Sequence, residues 1–141
     1  MNITSKGRYA LQVMLDLASH PDEGYISLKT IADRQGISMK YLEAIVGNLK
    51  RADLLDSTRG KEGGYKLSRL PEEYPVGEIL RCMEGNLAPV SCINSDGSIN
   101  CDKAPGCLTA PMWVELDEII NSYLDSITLA QLISGEKWKK V

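Results

Sequence analysis

Apolar residues recur through the first half of the chain at helical spacing, interrupted by short polar turns. Between Thr4 and Ser19, Tyr9, Ala10, Val13, Met14, Leu17 and Ala18 fall on one face and predict a first helix, capped by Thr4 or Ser5. His20-Pro21-Asp22-Glu23-Gly24 reads as a polar turn in which His20 is an ordinary helix-end residue. Ser27 is placed to cap a short second helix whose Leu28, Ile31 and Ala32 share one side. Gly36 offers the positive φ that ends it, Ile37 turns inward, and Ser38 caps a third helix reaching about Ala52. Leu42, Ile45, Val46 and Leu49 share the inner face of that helix, which leaves Ser38, Lys40, Tyr41, Glu43 and Ala44 at or near its outward, N-terminal end. Two short helices about a tight glycine turn predict a helix-turn-helix, whose second helix enters the major groove of DNA.

Leu54 to Thr58 and Tyr65 to Leu67 then read as two strands around the loop Arg59-Gly60-Lys61-Glu62-Gly63-Gly64, a wing. Arg59 and Lys61 at its tip suit a narrow minor groove or a pair of phosphates. A helix-turn-helix followed by a basic wing is the order a DNA-binding winged helix requires; a protein-binding winged helix is the competing reading. Beyond Pro71 and Pro75, the pattern predicts a short helix from Val76 to Glu84 with Cys82 as a buried free thiol. From Gly85 to Gly106 the hydrophobic pattern stops, and such a loop needs something to order it. A long helix is expected from about Thr109 to Ile133, with Pro111 tolerated in its first turn. Trp113, Leu116, Ile120, Tyr123 and Ile127 recur at alternating three and four spacing, the stripe by which helices pair. The expected fold is mainly α with a small β-hairpin. Residues 1–74 would form a winged helix-turn-helix domain that binds DNA, and residues 75–141 a cysteine-loop sensor region and long C-terminal dimerisation helix.

A chain of 141 residues, 43% hydrophobic and 25% charged, can bury a core. It contains no run of about 18 apolar residues, and Met1-Asn2-Ile3-Thr4-Ser5-Lys6 lacks the apolar centre of a signal peptide, so the expected location is the cytoplasm, away from any membrane. The net charge of -3 is uneven. Residues 1–70 carry 11 Lys and Arg against 8 Asp and Glu, a balance of +3, whereas residues 71–141 carry 5 against 11, a balance of -6. Phosphate affinity follows the local cluster of cations and not the chain total. Lys6 and Arg8, beside the first helix start, add to that cluster or remain solvated. An enzyme is not expected: the single His20 stands far from every cysteine in the sequence, and the glycines of the wing lie between two strands, not before a helix.

The second half carries Cys82, Cys92, Cys101 and Cys107, which in a reducing compartment point to metal binding, redox chemistry or packing before disulfides. Eight and then five residues separate Cys92, Cys101 and Cys107, unlike the twin close pairs of a zinc ribbon. Three thiolates on a glycine-containing loop that runs into a helix N-terminus suit an iron-sulfur cluster. On spacing, the cluster ranks ahead of zinc, and free thiols come third.

The motifs Ile3-Thr4-Ser5-Lys6-Gly7-Arg8-Tyr9-Ala10, Gln35-Gly36-Ile37-Ser38 with Tyr41-Leu42-Glu43, Arg59-Gly60 with Gly63-Gly64-Tyr65, Val76-Gly77-Glu78, and Cys107-Leu108-Thr109 with Trp113 carry a resemblance over nearly the whole chain. Together they resemble the winged-helix repressor family of the iron-sulfur cluster regulator IscR, with its relatives the nitric-oxide sensor NsrR and the cysteine-metabolism repressor CymR. The resemblance implies a homodimeric transcription factor on a palindromic promoter operator in double-stranded DNA. By it, Ser38, Lys40, Tyr41 and Glu43 read the major groove, Arg59 the minor groove, and the C-terminal helices cross between subunits. It also implies that Cys92, Cys101 and Cys107 hold an iron-sulfur cluster, 2Fe-2S ranked ahead of 4Fe-4S, that changes which promoters are bound. Genes for iron-sulfur biogenesis or stress are the implied targets; the alternative is a cluster-free or zinc-binding repressor of cysteine or nitric-oxide response genes. One departure stands out: where the family pattern has a histidine three residues after the last cysteine, this chain has Ala110. The acidic N-terminal alternative is also missing, because Arg8 takes that place. Asp102, Glu115, Cys82, a partner-subunit side chain or an external ligand are the remaining sources of a fourth ligand. Loading of the loop is expected to fix how the long helix meets the Val76 to Glu84 helix, and with it the spacing of the two recognition helices.

Overall fold

The computed structural model describes residues 3–139. Its first helix, α1 (Ser5–Ala18), begins where the Thr4 hydroxyl accepts from the Gly7 amide. Helix α2 (Leu28–Gln35) starts at Ser27, whose hydroxyl accepts from Thr30 N, and stops at Gly36 in the left-handed region at φ 66°. A side chain there would be strained, so this glycine ends the helix and turns the chain. Ser38 repeats the capping contact on Tyr41 N and opens α3 (Met39–Arg51). The inner stripe of α3, Leu42, Ile45, Val46 and Leu49, is fully enclosed, as its spacing predicts.

The wing is a two-stranded antiparallel ribbon of β1 (Leu55–Thr58) and β2 (Gly64–Leu67), with Leu55 opposite Leu67 and Thr58 opposite Gly64. Ile26 adds a backbone bridge to Tyr65, with both N–H to O=C distances at 2.8 Å. A Cβ on Gly64 would run into the Ile26 carbonyl, so this close approach needs a glycine. The bridge ties the wing to the approach of α2 and makes wing and helix-turn-helix one unit.

The connector after the wing is organised by a residue whose importance the hydrophobic pattern does not reveal. Tyr74 is wholly buried; its hydroxyl donates to the Leu54 carbonyl at 2.8 Å and accepts from the amides of Ser68 at 2.9 Å and Arg69 at 3.0 Å. The Arg69 guanidinium lies over the same ring and forks onto both Glu78 oxygens at 2.9 and 2.8 Å. These bonds pin the connector between β1 and α4 (Val76–Glu84), whose bounds agree with the sequence expectation.

One hydrophobic core runs across both halves of the chain. It joins Ala10, Val13, Met14 and Leu17 of α1, Ile31 of α2, the α3 stripe, Leu54, Leu55, Tyr74, Ile79 of α4 and Leu129 near the C-terminus.

The continuous helix expected from Thr109 to Ile133 is corrected by the structure. Helix α5 (Ala110–Ser126) ends at Ile127, which turns extended at φ -101° and ψ 127°, and α6 (Leu129–Ser134) follows as a separate turn. The break is stabilised by what it reaches: Ile127 O accepts from Val76 N at 2.8 Å, Thr128 forms a capping box with Gln131, and Leu129 becomes fully buried. A straight helix would leave those groups in solvent.

The 85–106 segment is also better ordered than its pattern suggests. Leu87, Ala88 and Ile93 are buried, Ile93 bridges Ile99, and Asn86 Nδ2 donates to Ile93 O at 3.0 Å. Asp96 accepts from the backbone and hydroxyl of Ser98 in a tight turn. The loop therefore has anchors of its own. Among the described residues no helix is long and apolar enough to cross a membrane.

Replacing Tyr74 by Phe would take the shared partner from the amides of Ser68 and Arg69 and from the buried Leu54 carbonyl. A loss of about 1–3 kcal/mol is expected in denaturant unfolding, with the wing proteolysed sooner. An unchanged unfolding midpoint would remove this hydroxyl from the account of the connector.

Candidate functional site

The N-terminal end of α3 presents Ser38, Met39, Lys40, Glu43 and Ala44 to solvent, one helical face bounded by the buried stripe. Tyr41 differs from the other residues expected there. It is half-buried, stacked edge-to-face on Tyr9 at 5.8 Å between centroids, with its hydroxyl 3.4 Å from Ser5 Oγ. Its ring holds α1 against α3, and only its polar tip is near the outer surface. Arg59 and Lys61 are exposed on the wing loop.

Several cations of the chain are held in ion pairs, and among the described residues those of this surface are not. Arg34 binds Asp16 and Glu23, Arg69 binds Glu78, Arg81 binds Asp125, and Lys29 binds Asp33. Among the described residues the side chains of Lys6, Arg8, Lys40, Arg59 and Lys61 have no such partner. Unneutralised cations at the start of α1, the start of α3 and the wing tip are what a polyanion would neutralise, releasing its counterions. His20, as expected of a helix-end residue, puts Nδ1 2.7 Å from the Asp16 carbonyl of its own helix.

The second site lies in the segment between α4 and α5 and at the start of α5. Cys92, Cys101 and Cys107, distant along the loop, line one cavity of about 80 Å³ with Ile93, Ile99, Ala104, Thr109, Ala110 and Trp113. Its donor set is three soft thiols among mainly apolar neighbours, a set that suits iron or zinc. Among the described residues no three His, Cys, Asp or Glu side chains converge closely enough to hold a single metal ion. The Cys107 thiol is pushed below its ordinary value, first by its hydrogen bond with the Thr109 hydroxyl at 3.4 Å and then by the amides of Thr109 and Ala110. The start of α5 thus favours the thiolate.

Ala110 contributes to the wall of this cavity, so a methyl group occupies the position that follows Cys107 by three residues. Of the other candidate ligands, Asp102 is exposed and does not line the cavity, and Cys82 is directed elsewhere: its thiol donates to Asn48 O of α3 at 3.6 Å. Burial pushes the Cys82 thiol up, in keeping with a packing role. Glu115 shares a broader groove with Cys107 and Ala110 on the outer side of the loop. That neighbourhood was not legible from spacing alone, because it depends on where α5 begins.

The apolar stripe of α5 is also corrected. Ile127 is buried and Trp113 and Ile120 are half-buried, whereas Met112, Leu116, Ile119 and Tyr123 are exposed in a row at spacings of four, three and four. Ile127 packs with Val76 and Leu80 of α4, Trp113 lines the cysteine cavity, and the outer row has the three and four spacing of a helix face open to solvent.

These parts define a winged helix-turn-helix transcriptional regulator that also carries a thiol-lined cavity. The chain belongs to the Rrf2 family, whose model, described as an iron-dependent transcriptional regulator, matches residues 3–135. It is 39% identical over 141 residues to the HTH-type transcriptional regulator IscR of Aliivibrio salmonicida, covering 100% of this chain and 82% of that one. The IscR of Serratia proteamaculans is also 39% identical, over 96% of this chain and 81% of its own. Among solved structures it resembles CymR, the global cysteine regulator of B. subtilis, with a TM-score of 0.77 at 36% identity over 95% of this chain and 97% of that one. It resembles T. potens IscR with a TM-score of 0.75 at 38% identity over 96% and 88%. The relatives are transcriptional regulators and not enzymes, in agreement with the sequence reading.

In metal-free protein, iodoacetamide is expected to label Cys107 at lower pH than an ordinary thiol, and Cys82 last, as read by peptide mass spectrometry. Faster labelling of Cys82 than of Cys107 would contradict the environments assigned to both.

Proposed function

We propose that this regulator acts in the cytoplasm as a homodimer on a palindromic operator, and that Cys92, Cys101 and Cys107 hold an iron-sulfur cluster, 2Fe-2S in preference to 4Fe-4S, whose loading tunes promoter choice. Residues 1–74 read DNA and residues 75–141 sense and dimerise. The observation carrying this reading is the shared cavity: three cysteines up to 15 positions apart in the chain line one small space at the foot of α5. When bound, the cluster supplies a redox- and iron-sensitive link among three thiolates. Ala110 offers no donor, so the cysteines provide three ligands and leave the fourth to Glu115, a partner chain or a small molecule. A cluster with an exchangeable ligand is suited to report oxidation, iron supply or nitric oxide.

The chain's own residues suggest how loading reaches the DNA. Cys107 leads directly into α5, and α5 is tied to α4 by Arg81, whose Nε donates to Asn121 Oδ1 at 3.3 Å and whose Nη2 donates to Asp125. Ser38, Lys40 and Glu43 are assigned to base and backbone contacts in the major groove, with Tyr41 bracing them, and Arg59 and Lys61 to the minor groove and its phosphates. Two such reading heads must lie about 34–36 Å apart to engage adjacent half-sites, so a small change in α5 pairing would alter the fit.

The exposed row on α5 supports the dimer. Met112, Leu116, Ile119 and Tyr123 give a continuous apolar surface on a polar helix, and Ile119 is 56% exposed. Ile119→Asp is expected to reduce the solution mass from twice the chain's 15.5 kDa to the single chain, with the helical signal retained. A variant that remains dimeric would place the interface elsewhere.

A cluster-free repressor is the second reading, and one observation favours it: the loop is held by its own bonds, such as Asn100 N to Cys92 O at 2.9 Å. Iron and acid-labile sulfide analysis of protein purified without oxygen separates the two. The cluster reading predicts coloured protein with iron and sulfide in equal amounts, lost on Cys92→Ala, Cys101→Ala or Cys107→Ala with the fold intact. Colourless protein, or stoichiometric zinc, would refute it.

A further inference from the structure

The outward face of α3 contains two features that nothing inside the molecule explains. Met39 is 43% exposed and is the large apolar side chain that α3 leaves open to solvent. Gly47 lies in the body of the same helix, where glycine costs conformational entropy. A Cβ built there would meet only the flexible end of Arg51 at 3.5 Å, an ordinary contact, so no neighbour in the fold requires the glycine. Ala44, exposed between them, is also small, and Lys40, Glu43, Ala44 and Gly47 fall at successive positions of one helical face. Lys40 and Glu43 have no intramolecular partner among the described residues. The face is thus a low central strip flanked by a free cation, a free carboxylate and one flexible apolar side chain.

A surface of this chemistry fits base edges in the major groove. The apolar group displayed there is the C5 methyl of thymine, and an unpaired carboxylate finds its donor in cytosine N4. Protein partners are disfavoured by the charge context, because the unpaired cations of α1, α3 and the wing lie in the same basic half of the chain. We propose that Met39 is a specificity-determining residue that reads a thymine methyl, and that Ala44 and Gly47 let α3 sit deep enough in the groove for that contact. The inference rests on the reading of α3 as the recognition helix and adds which base it selects. The unbranched thioether of Met39 adapts to a methyl without a fixed hydrogen-bond geometry, so the preference is for thymine over cytosine or uracil at one position of each half-site.

The test uses the full-length protein as purified without oxygen. Selection from random duplexes defines its site, and each thymine of that site is then replaced singly by deoxyuridine, which removes the methyl and nothing else. At one thymine per half-site the native protein should lose about fourfold in affinity, the equivalent of one buried methyl. Met39→Ala should bind the thymine and uracil forms alike, whereas Met39→Leu should keep the discrimination. Gly47→Ala should raise the thermal midpoint while weakening binding several-fold, a combination that a purely structural glycine would not give. A selected site with no methyl-dependent thymine, or a dependence that survives undiminished in Met39→Ala, overturns the inference alone. Failure to enrich any sequence overturns the recognition-helix reading with it.

Discussion

The last turn of α4 joins the parts of this molecule. Arg81 reaches α5 through Asn121 and Asp125, Cys82 donates to the α3 backbone at Asn48, and Glu84 accepts from the Thr4 amide and hydroxyl at 3.0 and 2.7 Å at the start of α1. Three residues within four consecutive positions therefore reach α5, α3 and the start of α1. The glycines of α1 and α4 make the approaches possible: side chains at Gly7 and Gly77 would run into Glu84 and Asp125. Because Ile79 packs in the same core as Leu42, Ile45 and Leu49, α4 cannot be displaced without disturbing the seat of α3.

Electrostatics divide the chain in the opposite sense from its total charge. An acidic protein of net charge -3 still has a front half of balance +3, in which Asp16, Glu23 and Asp33 are committed to pairs with Arg34 and Lys29 while Lys40, Arg59 and Lys61 are left without an ion-pair partner among the described residues. The buried Asp16 carboxylate accepts from Arg34 and Gln35 at 3.0 and 2.9 Å and fixes α2 on α1. It thereby holds the helix-turn-helix in shape instead of repelling phosphate. Free cations on a rigid support bind a polyanion with less ordering cost than cations on a mobile tail.

Much of the fold was legible because helical periodicity and capping chemistry act locally. Ser27, Gly36 and Ser38 mark the ends of α2 and α3 by hydrogen bonds within a few residues, and the α3 stripe needs only its own spacing. What was not legible depended on distant partners. The break at Ile127 exists because Val76, which donates to it, and the Tyr74 and Ile79 core that encloses Leu129 reward it, and those partners lie far back in the sequence. Nothing in the spacing marks Tyr74, because its three partners at Leu54, Ser68 and Arg69 become visible only when the wing folds back. On α5 the expected stripe divides: Leu116 and Tyr123 are exposed, whereas Ile127 is buried by α4, a distant partner that spacing does not reveal. At the thiol-lined cavity, the three cysteines were evident as a set. That Ala110 joins their wall, and that Glu115 lies around the corner, required the fold.

The central claim is that conditions at the Cys92, Cys101 and Cys107 cavity reach α3 through α5 and α4. The most direct measurement is the affinity of the same dimer for one selected operator, cluster-loaded and then stripped by a chelator without oxygen, at fixed salt. The account predicts a clear difference between the two states, reduced when Arg81→Ala cuts the tie to α5. Identical affinities for loaded and stripped protein across the operators tested would contradict it.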